Sequence, residues 1–169
     1  MTDVHIDVSM GRALIAFDLW RDVAATRARI ASALGGDLPA LNRARDLPGG
    51  WRAIRVEPTV WWLSGSPSDL TPCLERLETA IGDDGAAADI SGAFVIVILE
   101  GQGWRRTLMF GGVFDAESTD FGPGSTAGTL LHHVAVRYDV RGEERVDVHL
   151  APSYADDLLH HLRGPAARG

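Results

Sequence analysis

The chain has 169 residues, 46% hydrophobic and 23% charged, and a formal net charge of −7. That length suits one sizeable domain or two small ones packed together, and the acidic excess excludes an extended nucleic-acid or anionic-membrane surface, which needs clustered cations. All 16 basic residues are Arg, which excludes a Schiff-base lysine and a Gly-Lys phosphate loop, and the one cysteine, Cys73, excludes an internal disulfide and fits a reducing cytoplasm.

The start of the chain, Met1-Thr2-Asp3-Val4-His5, has no basic stretch followed by an apolar run, so no signal peptide is expected. Ala13 to Trp20 is apolar, with β-branched and aromatic residues, and predicts a strand. Asp22 stands where it can cap an Ala-rich helix over Val23 to Leu34, which Gly35-Gly36 would stop. Leu47-Pro48-Gly49-Gly50 marks an irregular connection, followed by two short strands near Trp51–Val56 and Thr59–Leu63. Ser66-Pro67-Ser68-Asp69 reads as a helix start. Leu70, Leu74, Leu77 and Ile81 then recur at spacings of three and four, with Cys73 on the same apolar side as a buried structural thiol.

Gly82-Asp83-Asp84-Gly85 would end that helix, and Asp89-Ile90-Ser91-Gly92 leads into Ala93–Leu99, a continuous apolar run suited to a strand covered on both faces. That run is far too short to span a membrane. A short helix is expected around Trp104 to Met109, then a loop rich in Gly, Ser, Thr and Pro from Asp115 to Gly128. Val134, Val136, Tyr138 and Val140 share one face of a further strand. Val146, Val148 and Leu150 share one face of the next, with Arg145, Asp147 and His149 on the other. Pro152-Ser153 opens a last helix on which Tyr154, Leu158 and Leu162 align.

The element order repeats. Residues 1–88 and 89–164 each read strand, helix, loop, strand, strand, helix, with a frayed tail at 165–169. The expected class is therefore α/β of the α+β kind: two tandem ferredoxin-like β-α-β-β-α halves with mostly antiparallel sheets.

Gly122-Pro123-Gly124-Ser125-Thr126-Ala127 superficially fits a dinucleotide fingerprint. That motif needs a strand before it and a helix after it, and here polar residues precede and an apparent strand follows, so it reads as a loop. His132-His133 and His160-His161 suggest a metal, but adjacent residues splay apart on a strand or a helix, and packing or surface roles are expected instead. No Gly-x-Ser-x-Gly elbow occurs, so no catalytic residue is assigned. Tryptophan and arginine are enriched at interface hot spots. Trp61 and the run Trp104-Arg105-Arg106 are accordingly candidates for a subunit interface. Trp61 and Trp62 must face opposite ways, one into the core, and Trp104 reads equally well as a half-buried ring with two solvated arginines.

Several stretches together resemble one family. Leu34-Gly35-Gly36-Asp37-Leu38-Pro39, Gly50 to Pro58 and Val60-Trp61-Trp62-Leu63 look like the first half of the gamma subunit of heterotetrameric sarcosine oxidase. Asp89-Ile90-Ser91-Gly92-Ala93-Phe94-Val95 and Leu99-Glu100-Gly101 resemble its centre. Phe114-Asp115, Phe121 to Gly124, Thr129 to Val134, and Ser153-Tyr154-Ala155 with Leu158-Leu159 resemble its C-terminal half. The chain departs from the pattern where Glu57-Pro58 replaces a usual Gly-Pro and Ile90 a usual Val. The resemblance implies a fold related to the folate-binding aminomethyltransferases and a non-catalytic role in a cytoplasmic complex that oxidatively demethylates an N-methyl amino acid. It implies alpha, beta and delta partner subunits that hold FAD, FMN, NAD, tetrahydrofolate and zinc, with none of these cofactors on this chain. Two other readings remain open at this point. One is a free-standing folate or one-carbon carrier, with Asp89 or Asp120 facing the pterin. The other is a small hydrolase assembled from dispersed groups.

Overall fold

The computed structural model describes residues 4–166. In chain order its elements begin with β1 (His5–Ser9), β2 (Ala13–Leu19), α1 (Val23–Leu34), β3 (Ala44–Asp46), β4 (Arg52–Arg55), β5 (Val60–Gly65), α2 (Leu70–Ile81) and β6 (Gly85–Asp89). They continue with β7 (Val95–Glu100), α3 (Trp104–Met109), β8 (Thr126–Leu131), β9 (Val134–Gly142), β10 (Arg145–Leu150) and α4 (Ala155–Ala166). The chain divides into two compact units. The first is Gly11–Gly92; the second joins the stretch before Gly11 to the chain from Ala93 onward.

In the first unit the sheet order is β3-β4-β5-β2-β6, every neighbouring pair antiparallel. β5 and β6 therefore run parallel on either side of β2, joined through α2, which is a split β-α-β unit. Alternation along β2 sends Ala13, Ile15, Phe17 and Leu19 into a core shared with Ile30, Leu34, Cys73, Leu77 and Ile81 of the helices. Asp22 precedes α1 but does not cap it through its side chain; it lies in the left-handed region, and its carbonyl accepts the Thr26 amide at 2.9 Å. The stop is as expected: Gly35 takes φ 75°, and the Gly35 and Gly36 amides both return to the Ala31 carbonyl. Arg29 ties the two helices together. It donates to the Ala80 carbonyl at 2.9 Å, at the end of α2, and pairs with Asp84 at 2.7 Å.

The second unit has sheet order β1-β7-β10-β9-β8, again wholly antiparallel. Its core joins Val97, Leu99, Tyr138, Val140, Val146, Val148 and Leu150 of the sheet to Trp104 and Leu108 of α3 and Leu158 and Leu162 of α4.

The two orders coincide when β2, β3, β4 and β5 are matched to β7, β8, β9 and β10. Only the fifth strand differs in origin: β6 follows α2 in the chain, whereas β1 enters from the N-terminal side. The expected tandem ferredoxin-like α+β arrangement is present, each half carrying two strands more than expected. The boundaries differ from 1–88 and 89–164, because β1 pairs with β7 and the first unit extends through β6 to Gly92. α4 runs to Ala166, past the start of the expected tail at 165; the rest of that tail lies outside the described residues. Among the described residues no helix is long and apolar enough to cross a membrane.

β6 carries no strand signal in the sequence, because Gly85-Ala86-Ala87-Ala88 has no β-branched or aromatic residue. Its small residues serve close approach: a Cβ on Gly85 would lie 2.2 Å from the Asp18 carbonyl oxygen.

Candidate functional site

The tryptophans expected at an interface are both in cores. Trp61 of β5 is fully buried and stacks on Phe17, with centroids 5.5 Å apart and planes 9° from parallel. The Arg55 guanidinium lies 4.7 Å from its ring centroid, and its indole N–H donates to the Pro39 carbonyl at 3.4 Å. Burial, then the nearby Arg27, holds Arg55 below the usual guanidinium range. Trp104 is also fully buried, and its indole N–H donates to the Glu143 carbonyl at 2.9 Å. Arg105 covers the Trp104 ring at 4.3 Å and donates to the carbonyls of Ala116 and Phe121, each at 2.7 Å. These contacts pin the 115–125 loop to α3. Neither indole presents a contact surface, because each large ring lies on the core side of its element; of the four candidates, Arg106 alone is exposed.

The histidines are brought together instead. His132 and His133 do not lie on a strand. They form the two-residue turn between β8 and β9, closed by the Leu131–Val134 pair, so strand alternation does not separate them. His132 adopts φ 54°, and its amide donates to the Gly111 carbonyl at 2.7 Å. Its ring centroid is 4.1 Å from that of His161 on α4, with planes 57° apart. His161 Nδ1 is 3.1 Å from the Asp157 carbonyl oxygen one helical turn back, and His133 Nε2 is 3.3 Å from the Asp157 carboxylate. The rings border a cleft of about 540 Å³ that includes Phe110, Gly111, His132, His160, His161 and Leu162. Gly111 has φ 83°, and a Cβ there would lie 2.3 Å from the His132 ring, so both backbone conformation and ring packing require glycine. Burial, followed by the neighbouring His161 and His133, lowers the proton affinity of His132; Asp157 opposes this. Among the described residues no group of three or more His, Cys, Asp or Glu is placed to hold a metal ion.

Beside the cleft, Met109, Phe110, Val113 and Leu130 are 38%, 53%, 76% and 46% exposed, unusual for a set of large apolar residues close in the fold. The Val113 amide donates to the Leu130 carbonyl at 3.4 Å, which holds the post-α3 segment to the edge of β8.

The other face of the second sheet is polar and largely buried. Asp139, Asp147 and His149 are 1%, 7% and 2% exposed. Arg145 bridges Asp147 at 2.9 Å and Glu100 at 3.0 Å, and Arg141 lies 3.8 Å from Asp139. Burial dominates His149 and lowers its proton affinity, against the pull of Asp139 and Asp147. The shared face of Arg145, Asp147 and His149 was legible as alternation; its burial was not.

The remaining candidates are accounted for locally. Cys73 is buried, and that burial pushes its thiol up, away from the reactive thiolate. Asp89 accepts hydrogen bonds from the Ser91 hydroxyl and amide at the end of β6, which lowers its pKa. Asp120 is exposed in the 115–125 loop, and neither carboxylate borders the cleft. The Gly122–Ala127 stretch enters β8, with the Gly124 amide bonded to the Val140 carbonyl at 2.9 Å. It supplies no helix N-terminus for a pyrophosphate.

No family model matches the sequence. No curated protein matches it either. Solved structures do. A chain of the heterotetrameric sarcosine oxidase from Corynebacterium sp. U-96, in complex with pyrrole 2-carboxylate, aligns with TM-score 0.82 and 21% identity over 94% of this chain and 81% of its own. The glycine cleavage system aminomethyltransferase T from Bartonella henselae aligns with TM-score 0.72 and 16% identity over 98% of this chain, which spans 46% of the transferase. The regulatory subunit of aspartate kinase from Thermus thermophilus aligns more loosely, with TM-score 0.52 and 15% identity. At these identities the likeness is one of fold: the chain shares its architecture with a chain of the oxidase complex and with part of the aminomethyltransferase.

Proposed function

We propose that this chain is a gamma-type, non-catalytic subunit of a sarcosine oxidase-like flavoenzyme complex that oxidatively demethylates an N-methyl amino acid in the cytoplasm. The observation that carries the reading is the extent of the likeness to the oxidase chain, 94% of this chain and 81% of that one. In such a complex the N-methyl C–N bond would be oxidised to an imine by flavin held on partner subunits, oxygen would take the two electrons to give hydrogen peroxide, and water would hydrolyse the imine to formaldehyde and the demethylated amine, unless tetrahydrofolate takes the carbon. FAD, FMN, NAD, tetrahydrofolate and zinc belong on this reading to the alpha, beta and delta subunits, and this chain supports their assembly. The exposed Met109, Phe110, Val113 and Leu130 offer one apolar surface for burial against a larger subunit.

Co-expression with alpha, beta and delta subunits, purification on this chain and an absorption spectrum test the reading. A yellow multi-subunit complex that fails to assemble without this chain is the expected result. A colourless chain that never captures the others rejects it. Phe110→Ser with Val113→Ser should weaken co-purification at least tenfold, about 1.4 kcal/mol of lost interface energy, while the thermal midpoint of the free chain stays within a few degrees.

The aminomethyltransferase likeness over 98% of this chain favours one second reading, a free-standing folate or one-carbon carrier. Calorimetric titration of the isolated chain with tetrahydrofolate separates the two: stoichiometric binding supports the carrier, and no heat of binding removes it.

A further inference from the structure

The contact between the β8–β9 turn and α4 joins two imidazoles where an apolar pair would pack more simply. We propose that His132 and His161 form a proton-sensitive latch, closed while both rings are neutral and opened when they are protonated. The proposal is independent of the subunit reading and concerns how one surface of this chain responds to acid.

Its basis is charge counting within the cluster. The two rings pack at 4.1 Å between centroids. Protonation of both places two cations at that separation. Among the described residues one carboxylate, Asp157, touches the cluster, 3.3 Å from His133 Nε2 and 3.9 Å from His161 Nδ1. It would face three imidazolium rings, with the His160 ring a further 6.3 Å from His161. Of the other charged groups on the adjoining elements, Arg106 on α3 and Arg163 on α4 add positive charge. Asp156 is the other acid on α4, Arg105 is committed to the Ala116 and Phe121 carbonyls, and β9 adds Arg137 with the Asp139–Arg141 pair at 3.8 Å. His133 and Asp157 are 66% and 49% exposed, so the pair they gain in acid is a weak surface one. His132 is half-buried, and burial opposes its charge before any neighbour does.

Release would free the last turns of α4 from His160 onward, while Leu158 and Leu159 stay in the core. The cleft beside Phe110 would open, and Leu162, now 2% exposed, would join the apolar strip of Phe110 and Met109. The latch is thus a two-state element whose equilibrium a proton biases.

Amide hydrogen exchange on the full chain tests this, corrected for the intrinsic effect of pH and read separately for α4 and for β9–β10. Between pH of about 7.5 and about 5.5, protection from His160 onward should fall about tenfold, about 1.4 kcal/mol, and by a larger factor than protection in β9–β10. His132→Asn, chosen because asparagine tolerates the left-handed backbone, should abolish the pH dependence, as should the exposed-site variant His161→Gln. Unchanged protection of α4 overturns the proposal. So does equal loss in both variants, or loosening of α4 and the sheet by the same factor, which would report global unfolding. His161→Gln keeps the test valid if His132→Asn does not fold.

Discussion

At the scale of single residues, the second unit is rich in polar groups placed inside. Tyr138 lies wholly in the core against Phe114 and Phe121, and its hydroxyl has no hydrogen-bond partner among the described residues. Burial drives its pKa far upward, as expected for a phenol with no water and no acceptor. A buried hydroxyl without a partner carries its desolvation cost uncompensated. Tyr138→Phe should therefore stabilise the chain by about 1 kcal/mol, read from the midpoint of urea unfolding at constant slope; a loss of similar size would mean that the hydroxyl is satisfied in solution. The tryptophans teach the opposite lesson. Trp61 and Trp104 satisfy their N–H groups on carbonyls and their ring faces on guanidiniums, so residue types common at interfaces serve here to hold one unit together.

At the scale of elements, helix ends and tight turns decide where side chains meet. Gly111 joins α3 to the edge of β8 at φ 83° while the His132 ring presses against its α-carbon. Gly111→Ala combines a disfavoured backbone region with a collision and should cost about 2 kcal/mol. The same change should displace the His132 ring, visible as a shift of its imidazole signals; no shift and no loss would show that the turn has slack. The helices and the strongly patterned strands were legible because apolar spacing and glycine stops are local: α1, α2 and β2 fall within a residue or so of expectation. β1, β3 and β6 were not, and β8 begins at Thr126, inside the stretch expected to be loop up to Gly128. They are short edge strands, and β6 is built of glycine and alanine, whose strand conformation is imposed by pairing with β2 rather than by propensity. The histidine cluster was missed for a related reason. Two residues of a hairpin turn do not obey the alternation assumed for them, and their approach to α4 joins positions 132 and 161.

At the scale of the molecule, the N-terminal strand belongs to a sheet whose other strands begin beyond residue 92. Removal of the residues before Gly11 should strip the edge from β7, uncover the half-buried Val4, Ile6 and Val8 contacts and destabilise the second unit. Exchange in β7, β10 and α4 should then rise by tenfold or more while Gly11–Gly92 keeps its protection; equal protection in both units would make β1 dispensable. Acid sensitivity also belongs to this scale, because His132 and His149 shift in the same direction. Both bind protons less readily in the fold than at the ordinary value of 6.5. The unfolded chain therefore takes up protons first as pH falls. The stability these residues contribute is complete above 6.5 and is lost as pH drops through their depressed folded values. Urea midpoints should be level above 6.5 and fall as pH drops below it; a flat profile there contradicts the assignment.

The sequence by itself determined the α+β class, the tandem order of elements, the helices with their apolar faces, the burial of Cys73 and the loop character of Gly122 to Ser125, though not the start of β8 at Thr126, because each is written in local spacing and turn chemistry. The resemblance to the oxidase subunit rests on short collinear stretches, and the shared fold accompanies it at 21% identity. Tertiary structure alone decided that β1 completes the second sheet, that the interface tryptophans are core residues, that Asp139, Asp147 and His149 are buried, and that histidines from a turn and a helix meet over one cleft. These are relations between segments far apart in the chain, and the periodicity of one segment carries no information about which other segment covers it.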